Sequence, residues 1–256
     1  MERNKEIDME QHIALVTGGT GGIGTAISRR LAEDGFRVIA TYSSPAKRTH
    51  AEVWRAEQRE RGFDIAIELM DVSSFESCAA AAADIREKYG VVEVLVNNAG
   101  ITRDAVMKKM QMEQWKDVID TNLSSVFNVT KQFLDDMLER QYGRIVNISS
   151  INGQKGQFGQ VNYSAAKAGI HGFTKALAQE VARKGVTVNT ISPGYVATAM
   201  VMAVAEEVRE KIKAQIPVGR FAEPEEIARA VSFLTAKEAG YITGSNLSIN
   251  GGQHMY

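Results

Sequence analysis

Residues 17–24 read Thr17-Gly18-Gly19-Thr20-Gly21-Gly22-Ile23-Gly24 and lie between a short apolar run and a helical pattern. Glycines let the chain turn sharply and approach a pyrophosphate, whose charge then sits at the N-terminus of the helix. Two spacings overlap here, Gly19-x-Gly21-x-x-Gly24 and Gly18-x-x-x-Gly22-x-Gly24. A lone glycine-rich match is weak evidence, because a plain tight turn has the same composition. The strand–turn–helix context favours a dinucleotide site.

Short β-rich runs alternate with helical patterns along the whole chain. The predicted strands are His12–Val16, Arg37–Tyr42, Asp64–Met70, Val92–Val96, Arg144–Ile148, Val186–Ile191 and Asn246–Ile249. The predicted helices include Ile23–Asp34, Phe75–Tyr89, Trp115–Arg140, Tyr163–Lys184 and Glu225–Leu234. Continuous Val and Ile runs indicate strands buried on both faces, and the alternation predicts an α/β fold with a doubly wound parallel sheet. Such sheets bind ligands at the carboxyl ends of their strands.

The composition excludes several classes of protein. The 256 residues carry a formal net charge of −1 without a basic block, whereas nucleic-acid binding needs clustered Lys and Arg. No apolar run approaches the length of a membrane span. The single cysteine, Cys78, excludes an internal disulfide, and the four histidines show no metal-ligand spacing. We expect a cytoplasmic protein that uses no metal and has no nucleic-acid or membrane partner.

The end of the second predicted strand bears on the choice of dinucleotide. An Asp or Glu there accepts the ribose hydroxyls of NAD and repels a 2′-phosphate. Residues 36–44 contain no acid, and Ser43 is followed by Lys47 and Arg48, which are suited to charge-assisted bonds with phosphate. Lys47 and Arg48 would equally suit the start of a solvated helix, so the missing acid is the firmer argument. The pattern favours NADP(H).

Two further strand ends carry polar groups, Asp71-Val72 and Asn97-Asn98-Ala99-Gly100. Asp71 suits a bond to an adenine amino group, although an Asp in this place also caps helices. The Asn-Asn-Ala-Gly run offers amide and backbone groups close to a bound ribose, or forms a plain turn. Both segments are therefore candidates for cofactor contacts.

Ser150 ends the fifth predicted strand, and Tyr163 and Lys167 follow four residues apart in a helical pattern, on one helix face. Tyrosine, with a pKa of about 10, is a poor acid at neutrality, and a neighbouring ammonium lowers that pKa. Ser150 can donate a hydrogen bond to a carbonyl oxygen as negative charge develops on it. A Tyr and a Lys at this spacing are usually helix surface, so the dinucleotide motif gives them their weight.

Together these motifs, with Pro193-Gly194, resemble the short-chain dehydrogenase/reductase family from about Ile13 to the C-terminus. The resemblance implies one Rossmann-type domain with about seven parallel strands, commonly assembled as a homotetramer. It implies that Tyr163 protonates the substrate oxygen as hydride reaches the carbonyl carbon. Lys167 would lower the pKa of Tyr163 and bond the nicotinamide ribose, and Ser150 would orient the carbonyl.

The resemblance also assigns residues that the other arguments do not. Asn122 matches the family asparagine that supports a water relay to the lysine, although an Asn inside a helix usually faces solvent. The residues that would bracket the nicotinamide carboxamide are Pro193, Gly194, Tyr195, Val196 and Thr198. The remaining cofactor candidates are Gly18, Thr20, Gly21, Gly22, Ile23, Gly24, Ser43, Lys47, Arg48, Asp71, Val72, Asn98, Ala99 and Gly100.

Within the family, residues 98–104, 147–160, 169–174 and 250–252 resemble the acetoacetyl-CoA reductases of polyhydroxybutyrate synthesis. That likeness implies NADPH-dependent reduction of acetoacetyl-CoA to (R)-3-hydroxybutyryl-CoA. It places near the acyl and pantetheine portion the residues Asp104, Ser150, Gln157, Phe158, Gly159, Gln160 and Tyr195. An ordinary exposed polar loop would also explain the glutamines.

Two departures weaken the CoA assignment more than the reductase assignment. Ala199 stands where many relatives carry an acid, and Met200–Ala205 is apolar where basic residues would meet CoA phosphates. Lys211, Lys213 and Arg220 are the candidates to replace them. The alternative substrate is the 3-oxoacyl-[acyl-carrier-protein] thioester of fatty acid synthesis, for which Arg103, Lys108 and Lys109 would form a docking patch. A catalytically silent NADP-binding regulator is disfavoured because Tyr163 and Lys167 are both present.

The motifs predict one domain and leave no residues for a second. Residues 1–11 form a polar leader that lacks the apolar core of a signal peptide. Residues 12–256 are expected to form the domain, with a substrate lid around residues 193–217.

Overall fold

Seven parallel strands form one sheet in a computed structural model that describes residues 12–255, so the leader lies outside the described residues. The strands are β1 Ile13–Val16, β2 Arg37–Tyr42, β3 Ala66–Leu69, β4 Val92–Asn97, β5 Gly143–Ile148, β6 Val186–Pro193 and β7 Asn246–Ile249. Their order across the sheet is β3-β2-β1-β4-β5-β6-β7. The order in which strands are added to the sheet reverses between β1 and β4, and ligands of such sheets bind at this switch point.

Ten helices flank the sheet within residues 12–255. They are α1 Gly22–Glu33, α2 Arg48–Glu60, α3 Phe75–Lys88, α4 Met112–Ile119, α5 Ser125–Arg140, α6 Asn152–Lys155, α7 Val161–Val181, α8 Ala199–Met202, α9 Glu206–Lys213 and α10 Pro224–Thr235. Both α8 and α9 lie inside the segment predicted as a lid. None of the helices described is long and apolar enough to cross a membrane.

The two faces of the sheet support separate cores because successive strand residues point to opposite sides. Leu15 contributes to the core beneath α3, α5 and α7, where Cys78 is fully buried. Val16 contributes to the core beneath α1, α2 and α10. In the second core α1 packs directly against α10, so Ile27 near the start of the chain shares a core with Val231 near its end. The predicted doubly wound fold is confirmed.

The predicted helix Trp115–Arg140 is wrong in one respect, because it is not continuous α-helix. A π-helical turn, Asp120–Ser124, joins α4 to α5. The extra residue in a π-turn shifts the side chains that follow, and such turns are frequent at functional sites. Here the turn contains Asn122.

Candidate active site

The glycine-rich turn after β1 is shaped by two close approaches of backbone. Gly18 has a φ of 61°, a left-handed conformation that favours glycine. A Cβ at Gly24 would lie 2.3 Å from the carbonyl oxygen of Gly18 and 2.8 Å from Nδ2 of Asn98. Gly21, the N-cap of α1, provides no side-chain cap, and a Cβ on it would meet nothing within 4 Å. The N-cap position of α1 therefore faces open space, as a bound pyrophosphate requires.

The Asn-Asn-Ala-Gly run holds this turn from the end of β4. Oγ1 of Thr17 accepts hydrogen bonds from the backbone N–H groups of Asn98 and Ala99, both at 3.0 Å. Nδ2 of Asn98 donates to the carbonyl oxygens of Thr17 at 3.0 Å and Gly18 at 3.3 Å. The side chain of Asn98 is thus committed to the turn, and its predicted contact with the cofactor stays a prediction.

The end of β2 presents exposed polar groups. Ser43, Lys47 and Arg48 are all exposed, whereas the Thr41 hydroxyl oxygen is buried and accepts from the backbone N–H of Gly18 at 3.2 Å. Nε of Arg48 lies 3.0 Å from Oε1 of Glu52 on α2. That carboxylate raises the pKa of Arg48. An exposed pair of this kind contributes little stability, so Arg48 can exchange partners at low cost.

Asp71 does not cap α3. Its Oδ1 accepts from the backbone N–H and the hydroxyl of Ser73, at 3.0 and 2.6 Å, while Ser74 caps the helix by accepting from the N–H of Ser77. The alternative interpretation of Asp71 as a helix cap is therefore wrong. Val72 is buried, and its carbonyl oxygen accepts from Asn128 at 3.0 Å.

Ser150, Tyr163 and Lys167 meet at the carboxyl end of β5. The hydroxyl of Ser150 acts on the Tyr163 phenol and lowers its pKa. Nζ of Lys167 lies 5.7 Å from the centroid of the Tyr163 ring and donates to the carbonyl oxygen of Ile148 at 2.8 Å. Ser149, also on this strand end, donates to the carbonyl oxygen of Lys167 at 2.8 Å. One strand end and one helix face thus bring the three predicted groups together.

Burial is the main influence on the protonation of these groups. Burial is the main cause that raises the pKa of Tyr163, Asp104 raises it further, and Ser150 opposes the rise. Burial lowers the pKa of Lys167 to about 8. Nζ of Lys167 is bonded to the Ile148 carbonyl, and the lowering of the Tyr163 pKa by Lys167 stays a prediction. Near neutrality Tyr163 is protonated and Lys167 is mostly charged.

Asn122 is buried, which contradicts a solvent-facing Asn. Its Nδ2 donates to the carbonyl oxygen of Ile101 and its Oδ1 accepts from the N–H of Ile101, both at 2.8 Å. A Cβ at Gly100 would lie 3.4 Å from Oδ1 of Asn122 and 3.6 Å from Nζ of Lys167. The π-turn thus places Asn122 beside Lys167, with only a glycine between them.

The loop between Ser150 and Tyr163 pairs with the segment around Asp104. Nε2 of Gln160 donates to Oδ2 of Asp104 at 2.8 Å, and Oε1 of Gln160 accepts from Asn152 at 2.9 Å. The N–H of Ala105 donates to the carbonyl oxygen of Gly159 at 2.9 Å. Asp104 raises the pKa of Tyr195 as well as that of Tyr163, so its charge acts on both phenols.

The other residues of the predicted substrate loop are exposed or bond residues outside the pairing with Asp104. Phe158 is 86% exposed. Gln157 accepts from Nζ of Lys155 at 3.1 Å. Gln154 donates to Ser248 on β7 at 2.9 Å, which places its amide on the sheet edge.

The start of the lid lies against the glycine-rich turn. A Cβ at Gly22 would lie 3.5 Å from Cγ2 of Thr198. Backbone bonds anchor the segment, since the N–H of Gly194 donates to Ile249 at 2.8 Å and the N–H of Ala197 donates to Ala222 at 2.8 Å. The rings of Tyr195 and Phe221 pack in a tilted arrangement at a centroid distance of 6.1 Å. Of the predicted carboxamide contacts, Thr198 therefore lies beside the predicted pyrophosphate site.

Several groups that shape the site are not among the residues predicted from the sequence. Glu52, Ser149 and Asn162 each bond a predicted residue or its backbone. Asn162 directly precedes Tyr163 and is fully buried. Its place in the first turn of α7, next to Tyr163, was the available signal for it.

A cleft of about 750 Å³ lies elsewhere, at the amino-terminal ends of β2 and β3. Arg37, Arg55 and Arg59 line it, together with Phe36 and Tyr89. None of the predicted site residues lines this cleft. Within residues 12–255, no group of three or more His, Cys, Asp or Glu side chains is arranged to hold a metal ion.

Comparisons with known proteins agree with this geometry. The acetoacetyl-CoA reductase of Allochromatium vinosum is 58% identical over 244 residues, 95% of this chain and 99% of the relative. The 3-oxoacyl-[acyl-carrier-protein] reductase FabG of Vibrio cholerae is 45% identical over 249 residues, 97% of this chain and all of the relative. A crystal structure of an actinorhodin polyketide ketoreductase with NADPH matches with a TM-score of 0.90 and 40% identity, over 96% of this chain and 98% of the other.

A family profile described as short chain dehydrogenase matches residues 12–209. That range includes the glycine-rich turn, Asn122, and the cluster of Ser150, Tyr163 and Lys167. The chain belongs to the short-chain dehydrogenase family.

Proposed function

We propose that this protein reduces acetoacetyl-CoA to (R)-3-hydroxybutyryl-CoA with NADPH. The observation that carries the proposal is the 58% identity, over nearly the whole of both chains, to a relative named acetoacetyl-CoA reductase. The identity to the carrier-protein reductase of Vibrio cholerae is 45%. The arrangement of Ser150, Tyr163 and Lys167 supplies the chemistry that such a reduction needs.

The residues at the switch point fit NADP(H). The open space at Gly21 and the uncapped N-terminus of α1 leave room for a pyrophosphate, and the absent Cβ of Gly24 lets the turn close tightly beneath it. Ser43, Lys47 and Arg48 are exposed at the end of β2 and would hold the 2′-phosphate. Lys167 would bond the nicotinamide ribose. When bound, the reduced nicotinamide supplies the hydride.

Side chains of the protein supply the proton and stabilise the charge that develops during its transfer. Tyr163 is the acid that protonates the substrate oxygen, and its raised pKa keeps it protonated near neutral pH, as the reductive direction requires. Ser150 donates a hydrogen bond to the same oxygen as charge develops there. The charge on Lys167 stabilises the phenolate that remains after proton transfer.

Asp104 supports recognition of the substrate arm. Its Oδ2 is held by Gln160, and no described residue donates to its Oδ1. A carboxylate oxygen in this place suits the amide N–H groups of a pantetheine arm. Of the candidates for CoA phosphates, Arg220 is paired with Glu226 at 2.6 Å and Lys213 with Glu210 at 2.6 Å. Lys211 is the candidate that shows no ion pair among the described residues.

The compartment, the oligomeric state and the metabolic use of the enzyme are proposed as well. We propose a cytoplasmic homotetramer that supplies polyhydroxybutyrate synthesis. Exposed aromatic side chains support association of chains, since Phe75 and Phe127 stack at 6.2 Å and are 41% and 53% exposed. Phe233 on α10 is 56% exposed.

The deciding experiment follows NADPH oxidation with acetoacetyl-CoA and with the acetoacetyl thioester of the acyl carrier protein, at equal concentrations. The expected result is a higher kcat/KM with acetoacetyl-CoA. Chiral analysis of the product should give the (R) alcohol. A large preference for the carrier-linked thioester would replace the proposal with the carrier-protein reductase.

A second expected result concerns the cofactor. Ser43→Asp should raise the KM for NADPH about tenfold to a hundredfold, because a carboxylate beside a bound phosphate costs about 1–3 kcal/mol at an exposed site. The KM for NADH should change little. Ser43→Asn, of similar size but neutral, is the matched control, and steady-state kinetics with both cofactors measure the effect. Equal changes with NADPH and NADH would contradict the assignment of the 2′-phosphate to this strand end.

A further inference from the structure

Asn162 is a fully buried amide at the second position of α7, directly before Tyr163. Its Oδ1 accepts from the backbone N–H of Tyr163 at 2.8 Å. Its Nδ2 donates to the carbonyl oxygens of Arg103 and Gln114, both at 3.0 Å. Both donor hydrogens and the carbonyl of this side chain are thus engaged.

These three bonds join segments that are distant in sequence. The first N–H groups of a helix have no partner within the helix, and Asn162 satisfies the one that belongs to Tyr163. Gln114 lies in the first turn of α4, and Arg103 lies in the loop after β4. A single side chain therefore fixes the backbone of Tyr163 against two other elements.

The loop that Asn162 holds is the one that carries Asp104. On one side of Asp104, the carbonyl of Arg103 is bonded to Asn162. On the other side, the N–H of Ala105 is bonded to the carbonyl of Gly159, just before α7. Asp104 is thus attached to the start of α7 from both directions, and its own carboxylate is bonded to Gln160.

We propose that Asn162 is a positioning residue that sets the separation between the Tyr163 phenol and the Asp104 carboxylate, and so holds the substrate arm in register with the proton donor. The inference rests on the proposed function, since it takes Asp104 to contact the substrate. It adds a residue that acts through Tyr163 and Asp104 without touching the substrate itself.

A role limited to fold stability would predict a different outcome. A buried carbonyl left without its donor costs about 1–3 kcal/mol, so any change at Asn162 lowers stability. A stability defect acts on binding and catalysis alike, and it does so whatever residue stands at position 104. A positioning defect acts through Asp104, and its effect must shrink once Asp104 has been removed.

The test uses Asn162→Ser and Asn162→Asp, which both keep an acceptor for the Tyr163 N–H but lose at least one donor to the loop. Each is combined with Asp104→Ala in a double-mutant cycle on kcat/KM for the thioester. We expect each Asn162 variant alone to lose about tenfold to a hundredfold, with the NADPH dissociation constant within about twofold of wild type. The double variant should lose much less than the product of the two single losses.

Ser43→Asp supplies the control pair, because it shares no hydrogen-bond partner with Asn162. The combination of Asn162→Ser with Ser43→Asp should give the product of the two single losses. Thermal unfolding shows whether each variant is folded at the assay temperature. If Asn162→Asp is unfolded there because of its buried carboxyl, Asn162→Ser decides the result.

Two results would overturn the inference: losses that multiply in the cycle with Asp104→Ala, or a loss of NADPH affinity as large as the loss of kcat/KM. Failure of the proposed function is distinguishable from either. If the wild-type protein prefers the carrier-linked thioester, the cycle is measured on that substrate. The coupling between Asn162 and Asp104 then decides the inference on its own.

Discussion

Tyr163→Phe lowers kcat by about 10²- to 10⁴-fold while the protein still folds and binds NADPH, the range expected when a general acid is lost. The substitution removes one oxygen atom, which interacts with Ser150 and carries the proton that the reaction consumes. Lys167 and the glycine-rich turn are unchanged, so cofactor affinity is retained. Single-turnover kinetics measure the chemical step, and quenching of protein fluorescence by NADPH measures binding.

Tyr142→Phe is the matched control for this experiment. Tyr142 is also a partly buried tyrosine with a raised pKa, chiefly from burial, but it stacks on His12 just before β5 begins, at the opposite end of that strand from Ser150. Removal of its hydroxyl should leave kcat at the wild-type value. More than a tenth of wild-type turnover in Tyr163→Phe would exclude Tyr163 as the proton donor.

Gly24→Ala should raise the dissociation constant for NADPH by at least about tenfold and lower the free energy of unfolding by about 1–3 kcal/mol. The new Cβ would lie 2.3 Å from the Gly18 carbonyl oxygen, a distance that requires backbone movement. Gly18 cannot move freely, because its N–H is bonded to Thr41 and its carbonyl accepts from Asn98. Calorimetric titration with NADPH and thermal unfolding measure the two effects.

Gly21→Ala distinguishes an effect on cofactor binding from an effect on the stability of the turn. A Cβ at Gly21 meets no protein atom within 4 Å, and its φ of −148° is open to any residue. The free energy of unfolding should therefore stay near the wild-type value. A loss of NADPH affinity in this variant would show that the pyrophosphate binds close to Gly21. Wild-type affinity in Gly24→Ala would contradict the assignment of this turn to the cofactor.

The parts of the site that follow from local periodicity could be predicted from the sequence. Glycine spacing after a strand determines the turn, and a spacing of four on a helix places Tyr163 and Lys167 on one face. Parallel strands bring Ser150 and Gly100 to the same edge of the sheet. Each of these inferences needs only a short segment and the direction of the strands.

The remaining features depend on loops that only the folded chain brings together. The hydrogen bonds of Asn162 end on the carbonyls of Arg103 and Gln114, which lie 59 and 48 positions away in sequence. The π-turn around Asn122 adds one residue to a helix without a change of composition that would signal it. The raised pKa of Tyr163 depends chiefly on burial, which does not follow from spacing.

The packing of α1 against α10 has a consequence for how the protein is made. Ile27 on α1, just after the glycine-rich turn, is buried together with Val231 on α10, about 200 positions later in the chain. Contacts between segments this far apart in sequence form late, because the intervening chain must be ordered before they can close. The first three strands with α1 and α2 therefore cannot complete their core during synthesis.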